Sequence, residues 1–471
     1  MHPWIARNLV YRPIQFLRGE KFVRYLEEVR AFNRLSAAEM QQEQWLRLKA
    51  LLDYVYGHND YYHRILDELN LPPVKITSPD DFKKLPLLTK MDLQQHSGEM
   101  LSRDRGRVDH RKTSGSTGTP YKFVKDRRSL AFMNAVMHDC YSWHGIEIGD
   151  RQCRIWAIPQ ELKPRLIIFI KDTLMNRIRL NSFDVNDDSS VKFFHDVRKF
   201  KPKFMYGVPS YMTDFSRRLQ EHGLDPKDMG LEVLICTGEI LFPAQKKLLK
   251  ETYDCTIANE YGTTESGIVA FSCPHDNMHL MSHALYVEII DPETGEKTRP
   301  GEIGEVVFTD LNSRTMPFIR YKVGDTAIPK AGTCSCGIQL PMVEHVEGRL
   351  EDMIETPEGK KVAGGMLYYT LTKGIQQFKA YQRAIDHLHV LIEPGPGFSE
   401  GDLERIRDQW RTYLGNRMKV TFEIVDRIPP DRSGKLRYFV PETDPDYVIQ
   451  VKPAGTGSDR LPPAEENHDQ K

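Results

Sequence analysis

Residues Thr113-Ser114-Gly115-Ser116-Thr117-Gly118-Thr119-Pro120 most constrain what this chain can fold into. Five hydroxyl side chains and two glycines in eight residues cannot enter a hydrophobic core. The segment must be a loop. Glycine lets its backbone approach a ligand closely, and hydroxyls donate short hydrogen bonds to phosphate oxygens. Alone, such a run reads as a solvated Ser/Gly turn. Here further polar segments follow it in a fixed order and end in Ser433-Gly434-Lys435.

The 471 residues suffice for two or three domains. Hydrophobic residues make up 40% and charged residues 28%, as in a globular protein with polar surfaces. A formal net charge of -1 argues against broad binding to nucleic acid. No apolar run approaches the roughly 20 residues needed to cross a bilayer. The tightest apolar cluster, Leu166-Ile167-Ile168-Phe169-Ile170, reads as a buried strand. The start lacks a signal peptide's apolar core, and seven cysteines are an odd count, so a disulfide framework is not expected. A reducing, cytoplasmic location is the expectation. Residues 4–22 mix Trp4, Ile5, Leu9, Val10, Phe16 and Leu17 with arginines. Two readings stand: an interfacial membrane helix, and a helix docked on the protein's own body, which is the expectation.

Residues 1–105 read as largely helical, with Leu48, Leu51, Leu52 and Val55 at helical spacing within 38–56. From about 110 to 345, strands such as Val233-Leu234-Ile235 and Glu305-Val306-Val307-Phe308 alternate with helices such as 191–200. That pattern predicts an α/β domain. Glu288-Ile289-Ile290-Asp291-Pro292-Glu293-Thr294-Gly295 predicts a strand entering a tight turn. Beyond 350 a small α+β unit is expected, with a strand at 387–393, a capping box at Ser399-Glu400-Gly401-Asp402, a helix at 403–414 and a strand at 419–425. The boundaries expected are a large domain over 1–348, a small mobile domain over 352–440 and a disordered tail over 441–471.

After the 113–120 loop come Tyr206-Gly207-Val208-Pro209-Ser210-Tyr211, Cys236-Thr237-Gly238-Glu239 and Glu260-Tyr261-Gly262-Thr263-Thr264-Glu265. Arg320-Tyr321-Lys322-Val323-Gly324-Asp325, Glu347-Gly348-Arg349-Leu350-Glu351-Asp352 and Asp431-Arg432-Ser433-Gly434-Lys435 complete the series. This order over residues 40–440 resembles the acyl-adenylate-forming superfamily, in the branch of phenylacetate–coenzyme A ligases and capsule-biosynthesis adenylate-forming proteins. The resemblance implies a large multi-subdomain N-terminal domain, a small C-terminal domain, ATP, Mg²⁺, a carboxylate substrate and coenzyme A or another acceptor. It places Thr113, Ser114, Gly115, Ser116, Thr117 and Gly118 on the β- and γ-phosphates. The loop lacks the Gly-Lys-Ser/Thr ending of a Walker motif, so a P-loop NTPase fits badly. Gly238, Glu239, Glu260, Tyr261, Gly262 and Thr263 would line the nucleotide, with adenine on the Tyr261 ring. Thr264 would bind the α-phosphate and Glu265 the Mg²⁺, a hard cation that takes oxygen ligands. Asp325 would accept from the ribose hydroxyls, and Arg349 would touch the nucleotide or form a buried pair with the aspartate. Lys435 is the expected catalytic ammonium, offsetting charge as carboxylate attacks phosphorus. Glu351 stands where the family has its hinge.

Cys273-Pro274-His275-Asp276-Asn277-Met278-His279 and the later Cys334-Ser335-Cys336-Gly337 supply three thiols and a histidine, the donor set of a closed structural zinc site. The resemblance favours His279 as fourth ligand over His275. Cys140, Cys153, Cys236 and Cys255 are expected as buried apolar residues. Tyr206, Tyr211 and Ile240 either line an acid pocket or join the core. Residues 354–362 read as an inserted hairpin before Gly364-Gly365, a departure toward the capsule-biosynthesis relatives that weighs against coenzyme A. Three readings follow: an acyl- or aryl–coenzyme A ligase first; a transferase to a sugar, amine or hydroxyl in surface-polysaccharide biosynthesis; and a non-catalytic zinc-stabilised scaffold. The oligomeric state, a homodimer included, is left open.

Overall fold

The computed structural model describes residues 1–17, 21–112, 121–158, 162–349, 353–363, 367, 375–395, 397–428 and 438–441. The 113–120 loop, Glu351, Gly364, Gly365, Lys435 with its flanking Ser433 and Gly434, and the tail beyond 441 lie outside them, as do the side chains of Glu347 and Arg349. The chain divides into two compact units, the second taking up at residue 352.

The large unit is built on one sheet. Its strands are β3 (Gln152–Ile155), β4 (Arg177–Leu180), β5 (Phe204–Gly207), β6 (Val233–Thr237), β7 (Thr256–Thr263), β8 (Gly267–Ser272), β9 (Met278–Leu280), β10 (Leu285–Ile290), β11 (Gly304–Asp310), β12 (Tyr321–Lys330) and β13 (Met342–Arg349). They lie in the order β10-β11-β12-β13-β9-β8-β7-β6-β5-β3-β4. From β4 to β7 the strands are parallel; the others pair antiparallel. A separate hairpin, β1 (Val108–Lys112) and β2 (Lys122–Asp126), brackets residues 113–120.

Strand alternation explains why the parallel half is buried on both faces. Met205, Leu234, Cys236 and Ile257 join a core with Phe193, Phe194, Met212, Phe215 and Leu249, from helices Asp187–Phe200, Pro209–Glu221 and Pro243–Tyr253. Their strand neighbours Phe204, Val233, Ile235 and Ala258 join the opposite core with Val136 and Tyr141 of helix Arg127–Trp143. The same core takes Leu48, Leu51, Leu52 and Val55 of helix Ala37–His58, which a Ser36–Glu39 capping box opens. The turn expected after Ile290 forms, with the Gly295 N–H donating to the Asp291 carbonyl (2.8 Å).

One element departs from expectation in two ways. Leu166–Ile170 lies in a helix, Leu162–Leu174, and not in a strand; Leu166, Ile167, Phe169 and Ile170 are exposed and not buried. Five apolar residues do not by themselves separate strand from helix. The deciding features extend beyond the run: Leu162 and Leu174 continue the four-residue spacing of Leu166 and Ile170, and Asp172 pairs with Arg179 of β4 at 2.7 Å. The N-terminal helical segment, Pro3–Leu17, docks on the body as expected. The Arg7 guanidinium donates to the Ile148 carbonyl (2.8 Å) and pairs with Glu147. Nevertheless Trp4, Ile5, Leu9 and Phe16 remain exposed.

In the small unit, β14 (Met353–Glu355) and β15 (Lys361–Ala363) form the expected hairpin. β16 (Ile375–Ala384), β17 (His387–Pro394), β18 (Lys419–Ile424) and β19 (Phe439–Val440) form a sheet in the order β18-β17-β16-β19. Helix Glu400–Leu414 links parallel β17 and β18, starts at the expected Ser399–Asp402 box and buries Ile406, Trp410 and Leu414.

Candidate active site and metal centre

Three of the polar motifs fall at the carboxyl ends of adjacent parallel strands. In register, Arg154 and Ile155 of β3 stand beside Tyr206 and Gly207 of β5, Gly207 beside Cys236 of β6, and Thr237 beside Glu260 of β7. Ligand sites of open α/β sheets form at this edge, where chain leaves the ladder and backbone groups are free. Thus Tyr206, Thr237-Gly238 and Glu260-Tyr261 converge although 55 residues separate Tyr206 from Tyr261 in sequence. Gly238 is exposed and Glu239 half-buried on the turn after β6.

Along β7, side chains alternate between faces. Glu260 is buried and accepts from Tyr141 Oη (3.1 Å) and Tyr206 Oη (3.0 Å). Burial pushes its carboxyl above the usual range; the Tyr206, Tyr141 and Thr237 hydroxyls and the Arg154 charge pull the other way. The Arg154 guanidinium lies 4.5 Å from the Tyr206 ring centre, and the Trp156 ring 5.4 Å from it. Tyr261 is half-buried and its hydroxyl donates to Asp325 Oδ2 at 2.9 Å. Gly262 is needed where it stands, because a Cβ would lie 2.8 Å from the Gly267 carbonyl across the β7–β8 hairpin. Thr264 is exposed in the turn of this hairpin, where the Thr263 and Ser266 hydroxyls bond each other (3.0 Å). Glu265 is buried and accepts from Tyr321 Oη of β12 (3.2 Å).

β12 therefore reaches both Glu265 and Tyr261. In a flat sheet, three strands between β12 and β7 would hold them roughly 19 Å apart. The side-chain bonds close that distance because the sheet bends. The register of β11 against β12 also breaks between Glu305 and Val307, opposite residues 323–325, with Gly324 at φ 84°. This bulge re-aims Asp325 while its backbone stays paired with Arg349. Tyr121, the first described residue after the hydroxyl-rich loop, is raised first by burial and then by the Glu265 charge. The Tyr121 phenol thus feels the Glu265 carboxylate.

Sequence reasoning missed Tyr141, Arg154, Trp156 and the Tyr321 hydroxyl as site neighbours. A signal existed for Arg154 and Trp156, which bracket the end of a strand beside the Tyr206 motif. Of the two remaining pocket candidates, Tyr211 packs against the core formed by the outer helices, and Ile240 abuts Gly348. Cys140, Cys153 and Cys236 are fully buried as expected; Cys255 is half-buried, with its thiol pushed up by burial to about 12.

The second cluster joins Cys273, just after β8, and His279 of β9 to Cys334 and Cys336 on the loop before β13. The donor atoms of Cys273, His279, Cys334 and Cys336 lie within 4.8 Å of one another. Cys273 and Cys334 sulfurs are 3.6 Å apart, and Cys336 Sγ is 3.4 Å from His279 Nε2. A tetrahedral zinc ion with sulfur at ~2.3 Å and nitrogen at ~2.0 Å spaces its ligands roughly 3.5–3.8 Å apart. His279 Nδ1 faces the Leu340 carbonyl (3.2 Å), which turns Nε2 toward the thiols as an outer hydrogen bond does in metal sites. His275, the other candidate, is outside this group and bonds Ser335 Oγ (2.9 Å).

Residues 113–312 match the model of the AMP-binding enzyme family, and residues 354–442 match the CapK C-terminal domain. The chain is 24% identical to a phenylacetate-coenzyme A ligase of Thermus thermophilus, over 88% of this chain and 98% of that one. It is 18% identical to protein CapK of Staphylococcus aureus, over 93% and 97%. Among solved structures, a 2-hydroxyisobutyryl-CoA ligase in the postadenylation state, with an acyl-AMP bound, superposes with a TM-score of 0.72 at 21% identity, covering 87% of this chain and 91% of that one. An edge of parallel strands carrying the ordered motifs, with these two matches spanning it and the small unit, makes the chain an adenylate-forming member of the AMP-binding enzyme family with a CapK-type C-terminal domain.

Proposed function

We propose that this protein couples a carboxylic acid to AMP, releasing pyrophosphate, and passes the acyl group to the thiol of coenzyme A. The observation that carries the reading is the Tyr261–Asp325 bond (2.9 Å) beside the Glu265–Tyr321 bond (3.2 Å). It holds an aromatic face, a ribose-accepting carboxylate and a cation-binding carboxylate together before any ligand arrives. Adenine stacks on Tyr261, and the ribose hydroxyls donate to Asp325. Thr264, exposed at the hairpin turn, donates to the α-phosphate. Glu265 holds Mg²⁺, which supplies charge neutralisation to the phosphates. The 113–120 loop wraps the β- and γ-phosphates, and Lys435 balances the charge that builds as the carboxylate attacks. No protein nucleophile is required, because the substrate carboxylate attacks and pyrophosphate leaves.

The acid is apolar or aromatic in this reading, seated by Trp156 and Tyr206 (5.4 Å between rings). Cys273, His279, Cys334 and Cys336 hold a structural zinc ion. Four protein ligands leave no open position, so the ion fixes two loops and does not activate water.

ATP–pyrophosphate exchange with a panel of carboxylates tests the proposal. Wild type exchanges with at least one acid, and Lys435→Ala lowers the rate by ~10²–10³-fold. Absence of exchange together with absence of ATP binding in calorimetry returns the chain to a zinc-stabilised scaffold. A mutant as fast as wild type removes Lys435 from the chemistry.

The match of residues 354–442 to the CapK C-terminal domain favours a second reading for the acceptor. The acyl or adenylyl group then passes to an amine or hydroxyl, as on a sugar of a surface polysaccharide. Mass spectrometry of products formed with coenzyme A and with amino sugars separates the two.

A further inference from the structure

The helix Leu162–Leu174 is built inside out. Its sheltered residues, Pro164, Ile168 and Asp172, form one i, i+4, i+8 stripe, and the best buried of them is a charge. Asp172 is held there by Arg179 at 2.7 Å and Arg177 at 4.0 Å. Leu162, Leu166, Ile167, Phe169 and Ile170 stand outward, each at least 45% exposed. A helix packed by its acid while its leucines meet water presents a face that needs a cover.

A second exposed apolar element lies next to it. In segment Pro3–Leu17, Trp4 is 58%, Leu9 62% and Phe16 82% exposed. The Met1 ammonium donates to Asn176 Oδ1 (3.2 Å), and Asn176 Nδ2 donates to the Met1 carbonyl (3.1 Å), just past the end of the first helix. Ala6 and Tyr11 line a small cavity together with Leu174 and Met175. The two helices are therefore neighbours.

Charge identifies the cover. The exposed ionisable residues of Leu162–Leu174 are Lys163, Arg165 and Lys171, all cationic. Residues 1–17 contain no Asp or Glu. Apolar side chains rimmed by cations, with aromatic rings among them, fit the boundary between acyl chains and anionic headgroups. No helix among the described residues is long and apolar enough to cross a membrane, so these lie in its plane.

We propose that the paired helices Pro3–Leu17 and Leu162–Leu174 form a docking surface for anionic phospholipid bilayers. Trp4, Phe16 and Phe169 enter the headgroup boundary, and Lys163, Arg165 and Lys171 face lipid phosphates. The proposal does not depend on which acid or acceptor the enzyme uses.

Flotation of the full chain with vesicles tests it, using phosphatidylcholine alone and equal parts phosphatidylcholine and phosphatidylglycerol. Wild type floats with the anionic vesicles, at least ~10-fold above neutral ones. The double variant Leu166→Glu, Phe169→Glu loses most of that binding with its thermal midpoint unchanged, since both sites are exposed. The variant Lys163→Glu, Lys171→Glu keeps the apolar face and loses the preference for anionic lipid. Failure of wild type to float, or either variant behaving as wild type, overturns the proposal. So does a lipid-free dimer that the Leu166, Phe169 variant converts to monomer, which would make this face a contact between two copies.

Discussion

The Tyr261–Asp325 region and the cysteine–histidine cluster stand on the same run of strands, yet they are held together by opposite means. Around Tyr261 every acid has a protein donor: Asp325 takes the Tyr261 hydroxyl, Glu265 takes Tyr321, and Glu260 takes Tyr141 and Tyr206. That region is preorganised by the chain, so a ligand meets a finished geometry. Cys273 and Cys334 sit 3.6 Å apart with only weak sulfur hydrogen bonds between them. As thiolates they would repel. In the proposed reading a zinc ion closes that cluster, and its binding energy would become local folding energy. The first region should survive loss of its ligand; the second should not.

The largest effect expected from this contrast is at the metal. Purified protein carries about one equivalent of zinc. Chelation, or Cys334→Ser, lowers the thermal midpoint by on the order of 5 °C or more. Exchange activity of the chelated protein falls less than the midpoint suggests, because the nucleotide edge holds itself. Elemental analysis with calorimetry checks this, and a midpoint indifferent to chelation breaks the comparison.

A smaller effect sharpens the other side. The Glu260 carboxyl is raised by burial, so the folded state prefers its protonated form. Its contribution is fully present below the ordinary glutamate value and is lost as pH rises through the elevated one. Glu260→Gln, which keeps an acceptor for one phenol, should therefore gain stability relative to wild type at neutral pH. The gap should close as pH falls toward the usual carboxylate range. Thermal unfolding at both ends of that interval checks the sign; a variant less stable at neutral pH reverses it.

Much of this architecture is legible in the amino-acid order alone. The helical Leu48–Val55 pattern, the Ser399–Asp402 cap, the 354–362 hairpin and the grouping of Cys273, His279, Cys334 and Cys336 rest on local or chemically distinctive residues, and the structure forms each of them. What escapes is set by tertiary packing. Glu265 meets Tyr321 across 56 residues, and Tyr141 meets Glu260 across 119; neither pairing leaves a local trace. The run Leu166–Ile170 misleads because apolarity normally implies burial, and here the helix turns its Asp172 inward. The bulge at Gly324 is equally hidden, since a motif shows its glycine but not the strand the glycine breaks.

The most direct measurement of convergence is the ATP dependence of pyrophosphate exchange in Asp325→Ala. Loss of the carboxylate removes the acceptor for the ribose and for Tyr261, so the KM for ATP should rise ~10–100-fold with the thermal midpoint little changed. An unaltered KM for ATP would place the nucleotide elsewhere and contradict the convergence of these motifs on one ligand.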